Sequence, residues 1–82
     1  MTMWLSIEQY EREEPHVKPF LIHHDAREHA VDIAIKRLCD PDNQNEAKTD
    51  PETRDYYRGL LDGKGVMEGD IRVWVQDLEE PV

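Results

Sequence analysis

Apolar and polar positions alternate over residues 3–10, MWLSIEQY, with Met3, Leu5 and Ile7 on one face and Trp4, Ser6, Glu8 and Tyr10 on the other. Period two with β-compatible side chains predicts a strand. The acidic EREEPH that follows, with Pro15, predicts a turn. VKPFLI then predicts a second strand, whose Pro19 removes a backbone donor and so assigns it to a sheet edge or a bulge. Joined by so short a loop, the two strands are expected to form an antiparallel hairpin.

The period changes to helical in HHDAREHAVDIAIKRLCD, where Ala26, Ala30, Ile33, Ala34 and Leu38 form one stripe, flanked by Val31 and Ile35. Asp25 suits the N-cap, and Glu28 three residues on suits a capping box. Lys36 and Arg37 fall in the last turns, where positive charge complements the macrodipole, and Pro41 ends the helix. DPDNQNEAKTD is expected as a polar connector. A second helix follows, with Asp50 as N-cap, Pro51 at its first position and Gly63 past its end. Its apolar face is Tyr56, Tyr57, Leu60 and Leu61. GKGVMEGD predicts a turn-rich link to a final strand, 70–78, with Ile71, Val73 and Val75 on one face and Arg72, Trp74 and Gln76 on the other.

The order strand, strand, helix, helix, strand predicts a single α+β domain of two layers over residues 1–82. Its three-stranded antiparallel sheet, in the order 2-1-3, packs against the two helices. That order keeps the Pro19 strand at an edge. The expected core is Leu5, Ile7, Phe20, Ile22, Ala30, Ile33, Ala34, Leu38, Ile71, Val73 and Val75, with part of the second helix.

Length and charge narrow the picture. A chain of 82 residues builds one core, and a domain this small buries only about 60% of the surface its unfolded chain exposes. The single Cys39 excludes an internal disulfide. No apolar run is long enough to span a bilayer, and MTMWLSIEQYEREE lacks the basic and long apolar regions of a signal peptide. A cytoplasmic location is therefore expected, in a host cell if the gene is viral. Nineteen acids against ten Lys and Arg give a net charge of −9. Such a field repels nucleic acid and anionic membranes and attracts basic surfaces.

Candidate chemistry is sparse. His23, His24 and His29 lie near Asp25 and Glu28, but adjacent residues at a strand end diverge, and an i, i+5 spacing does not align two helical ligands. The loop from Asp40 lacks both the glycine at position 6 and the glutamate at position 12 of an EF-hand. DGKG has no second half of a phosphate loop and is read as a helix stop. Cys39, beside Leu38 at a helix end, reads as a small buried hydrophobe. No catalytic residues, no metal site and no cofactor are expected, and the protein is not expected to be an enzyme.

The acids cluster. Glu8, Glu11, Glu13 and Glu14 occupy the first strand's end and the hairpin loop; Asp77, Glu79 and Glu80 follow the last strand; Asp40, Asp42, Glu46, Asp50, Glu52 and Asp55 form a third group. If the first and last strands pair antiparallel, the first two groups sit at opposite ends of the sheet. Trp4 and Trp74 each fall opposite their strand's aliphatic set, so pairing would bring both indoles to one outer face, with Tyr10 further along it.

Exposed aromatics within an acidic surface point to protein contact. The expected partner is a basic nucleic-acid-binding protein or complex, with no direct nucleic-acid or membrane contact. The expected contact residues are Trp4, Tyr10, Glu11, Glu13, Glu14, Asp40, Asp42, Trp74, Asp77, Glu79 and Glu80. In size and charge, though in no motif, such a protein resembles the small acidic inhibitors of phages and mobile elements, including anti-CRISPR and anti-restriction proteins, some of which mimic DNA. The alternative expectation is an assembly module, a homodimer or accessory subunit using the outer sheet face or the free edge of the last strand.

Overall fold

A computed structural model describes residues 2–39, 42 and 44–79. In chain order the elements are β1 (Thr2–Tyr10), β2 (His16–Phe20), α1 (His23–Leu38), α2 (Gln44–Thr49), α3 (Pro51–Asp62), β3 (Val66–Glu68) and β4 (Ile71–Glu79). The fold is α+β, with an antiparallel sheet and a layer of helices.

The sheet has four strands, in the order β2-β1-β4-β3, rather than three in the order 2-1-3. The added strand is VME, inside the segment expected as a link. It pairs Val66 with Val73 and Glu68 with Ile71. Gly69, at φ +59°, makes the turn into β4, a conformation that costs glycine nothing. The connector expected before the second helix also holds a helix of its own, α2, whose Ala47 joins the core.

Helix boundaries follow local chemistry in one case and not in the other. Asp50 caps α3 as expected, its carboxylate accepting from the Thr53 amide at 3.2 Å and the Thr53 hydroxyl at 2.6 Å, with Pro51 at the first position and Gly63 closing the end. By contrast, α1 starts at His23. Its N-cap is Ile22, without a side-chain cap bond, and Asp25 lies in its first turn. Glu28 completes no capping box. It turns instead to α3, where Arg58 Nε donates at 2.7 Å and Arg54 at 3.2 Å.

These two helices run side by side, tied by ion pairs of Arg54 with Glu28 and Asp32, Arg58 with Glu28, and Arg27 with Asp62. The Arg58 hydrogen bonds, helped by those of Arg54, outweigh burial and hold the Glu28 carboxyl down to about 2 from 4.5. A depressed folded-state value means that this stabilisation is complete above pH 4.5 and is lost as pH falls toward 2. Because the groups are partly solvated, Glu28→Gln should cost about 1–2 kcal/mol at neutral pH. Urea melts across pH should show the wild type converging on the variant between pH 4.5 and 2; a constant gap would contradict it.

The core lies between this helical layer and one face of the sheet. Ala30, Val31, Ala34 and Ile35 of α1 meet Ala47, Leu61, Val66 and Val73, all buried, with Ile71 and Val75 packed around them. Two expected core residues lie elsewhere: Ile22 is 58% exposed, and Phe20 is half-buried against the His29 ring, with centroids 5.2 Å apart. Leu5 and Ile7 also depart from expectation, and they define the site.

Candidate functional site: the uncovered sheet face

β1 sits in the sheet with its aliphatic side turned away from the helices. The opposite side of the strand meets α1 along its length. Trp4 packs on His23 with ring centroids 4.4 Å apart, and the Ser6 hydroxyl lies 3.0 Å from His29 Nδ1. Glu8 pairs with Arg37 at 3.8 Å, and the Arg37 guanidinium stacks on Tyr10 at 5.2 Å. Ser6 is fully buried and satisfied by His29. Its small size, and the buried Ala26, Ala30 and Ala34 on α1, let helix and strand come close. Burial lowers the pKa of His29, which favours the neutral ring beside that hydroxyl.

The register carries this arrangement across the sheet. β1 and β4 pair Trp4 with Asp77, Ser6 with Val75, Ile7 with Trp74 and Gln9 with Arg72, so even positions of one strand face odd positions of the other. Side chains alternate along each strand. Val73 and Val75 therefore share the helix side with Ser6 and Glu8, while Trp74 shares the open side with Ile7. The two tryptophans lie on opposite faces of the sheet, which corrects the expectation of an indole pair. Tyr10 lies on the helix side too, its hydroxyl donating to Glu8 at 2.8 Å.

The open side is apolar. β1 contributes Met3, Leu5, Ile7 and Gln9; β2 contributes Val17 and Pro19, opposite Ile7 and Leu5. β4 adds Arg72, Trp74, Gln76 and Leu78, and β3 adds Met67 opposite Arg72. Among the described strand residues this face holds no carboxylate, in a chain with nineteen acids, and Arg72 is its one charge. Val17, Met67 and Leu78 are 52%, 69% and 45% exposed. Ile7 is buried here by Trp74 and Val17 on either side, apart from the main core. Arg72 stacks over the Trp74 indole at 5.1 Å, and the indole N–H donates to Gln76 at 3.4 Å. Arg72 and Gln76 thus hold the half-buried Trp74 indole in place.

Carboxylates stand at the two ends of the sheet, Glu68 and Asp77 among them on its helix side. Glu11, Glu13, Glu68 and Asp70 line an open cleft of about 920 Å³ together with Arg12, His16 and Arg37, because both hairpin turns fall at the same end of the sheet. Glu14 is exposed in the same turn, and Asp77 is exposed at the other end, opposite Trp4. Asp42 is exposed between α1 and α2. Glu79 closes the β4 backbone. Asp40 and Glu80 lie outside the described residues.

Sequence reasoning missed Met67, Glu68 and Asp70. The alternation of VME ahead of a Gly-Asp turn was the available signal for that hairpin. It also missed the outward sense of Met3, Leu5 and Ile7, which alternation alone does not decide.

Among the described residues no group of three or more His, Cys, Asp and Glu is placed to hold a metal ion. Cys39 Sγ lies 3.8 Å from the Tyr57 hydroxyl, whose pKa is pushed up to about 12, chiefly by burial. No helix among them is long and apolar enough to cross a membrane. Among the described residues, the fold is a small α+β domain with helices on one side of the sheet and an apolar face, without a helix over it, on the other. No protein-family model matches the chain, and no significant match exists among curated proteins or solved structures.

Proposed function

We propose that the protein is a non-enzymatic binding module that docks its bare sheet face onto a partner protein whose apolar contact patch is flanked by basic groups. One observation carries this reading: in a chain of net charge −9, the described strand residues of the apolar sheet face include no carboxylate, while acids stand at both ends of the sheet. Burial of the face supplies adhesion, and the acidic ends steer encounter with basic partners. A basic nucleic-acid-binding surface of a host protein meets both demands. Occupying it would block its nucleic acid, as small acidic phage inhibitors do.

Trp74→Ala tests the reading, because it removes the anchor without entering the main core. The variant should keep the wild-type circular dichroism spectrum. Capture of a defined basic partner from lysate should fall by about tenfold or more, the scale of a hot-spot loss near 2 kcal/mol. Wild-type capture should also weaken as salt rises. Capture that ignores both the substitution and the salt would sink the proposal.

Self-association through the same face is the second reading, favoured by the absence of a repelling carboxylate among the described strand residues on it. Sedimentation would then show a dimer that persists in high salt and dissociates on Trp74→Ala.

A further inference from the structure

We infer that the open edge of β4 is a strand-addition site for an extended peptide segment that alternates basic and apolar side chains. β3 covers only the start of β4, pairing with Ile71–Val73. Among the described residues no strand pairs with that side of β4 from Trp74 to Glu79. The chain leaves the sheet at Gly65, where φ is +89° and the N–H donates to the Leu60 carbonyl at 2.8 Å, at the end of α3.

The Val73 carbonyl lies on this same side of the strand, since a Cβ built on Gly65 would come within 2.8 Å of it. Backbone groups alternate from side to side along a strand. The N–H and C=O groups of Val75, Asp77 and Glu79 therefore point along the open edge, and those of Trp74, Gln76 and Leu78 point to β1. The sheet's other edge is a poorer template: β2 is short and carries Pro19, which lacks a donor.

The side chains choose the occupant. A strand added beside β4 continues both faces of the sheet. On the outer face its side chains lie against Trp74 and Leu78, which favours apolar residues. On the helix side they lie against the exposed Asp77, which favours Lys or Arg. A second copy fits poorly. Antiparallel pairing of β4 with β4 along this stretch sets Asp77 against its own copy or one pair from it, between chains each of charge −9. The inference rests on the binding reading above and names the form in which a basic partner presents itself.

The test uses a capped heptapeptide of alternating lysine and valine, a glutamate–valine counterpart, and the isotope-labelled full chain. In the free protein the amides of Val75, Asp77 and Glu79 should exchange fast and those of Trp74, Gln76 and Leu78 slowly. The Lys–Val peptide should slow the first set by about tenfold or more, and the Glu–Val peptide should not bind. Asp77→Pro removes only an outward N–H and one charge, and should weaken binding by about tenfold or more, whereas Asp77→Asn should weaken it less. In antiparallel addition the N–H groups of the peptide lysines face β4, so their backbone N-methylation should abolish binding to the wild-type chain, and methylation of the valines should not. This arm holds even if the proline variant fails to fold.

A peptide that binds without slowing those amides and tolerates lysine methylation, yet is lost with Trp74→Ala, overturns strand addition and leaves the sheet-face reading standing. No binding of the Lys–Val peptide, or equal binding of the Glu–Val peptide, overturns strand addition as well.

Discussion

Ile35→Ala is expected to lower stability by about 3 kcal/mol, with the urea midpoint falling and the slope unchanged. Ile35 is fully buried, and it packs where α1 meets the helix side of the sheet, among Val31, Leu61, Val66 and Val73. Those neighbours are held by a helix on one side and a sheet on the other, so they cannot collapse into the space left behind. A domain of this size has a total stability of about 4–12 kcal/mol, so the loss is a large part of it. The midpoint temperature should fall by about 10–20 °C.

The comparison substitution is Ile7→Ala. Ile7 is only 6% exposed, but its cover comes from neighbours on an open sheet face rather than from a second layer. Its truncation should cost clearly less than that of Ile35. Equal losses would mean that the outer face is closed over in solution, and both the anchor and edge arguments would then fail.

Gly65→Ala should be the other large loss, of about 2–3 kcal/mol. The position combines a φ of +89° with no room: an added Cβ would stand 2.8 Å from the Val73 carbonyl oxygen and 2.9 Å from the Trp74 Cβ. Both obstacles belong to the backbone or lie next to it, so no rotamer change relieves them. The strain should appear as faster amide exchange at Val66–Glu68 before the rest of the sheet opens. Gly59→Ala is the opposite case. Nothing lies within 4 Å of an added Cβ there, the residue is helical, and the change should stabilise by about 0.5–1 kcal/mol. A neutral Gly65→Ala would refute the close approach of the chain at the fork between α3 and β3.

What could be read from the sequence was local. Asp50, Pro51 and Gly63 marked both ends of α3, because caps act within one turn. β1, β2 and β4 showed as alternating runs. The sense of β1 did not, because alternation shows that a strand has two sides without showing which side meets a helix. The preference for aliphatics inward yields here to a close approach of α1 over Ser6, whose hydroxyl finds His29. The faces of Trp4 and Trp74 depend on register, which is a pairing between distant strands. One residue of slip would have put both indoles on one face.

The start of α1 was misplaced because Asp25 and Glu28 fit a capping pattern, yet Glu28 gains more from Arg54 and Arg58 on α3. Those partners lie 26 and 30 residues away. β3 and α2 are too short to rise above their turn-rich surroundings. For the candidate site, composition pointed to acids and an aromatic anchor, and Trp74 does lie on the uncovered face. The apolar field around it was visible only once β1 was seen to face outward.

The reversed sense of β1 gives the chain's acidity a second consequence, in colloidal terms. Every copy carries a sticky plane that its own helices never cover. At neutral pH mutual repulsion between strongly negative bodies keeps those planes apart while the protein is unbound. That protection ends near the sequence pI of about 4.7, where like-charge repulsion vanishes and the bare planes are free to stack. On the proposed reading, the chain's charge is therefore a guard on the open face as well as a signal to a basic partner.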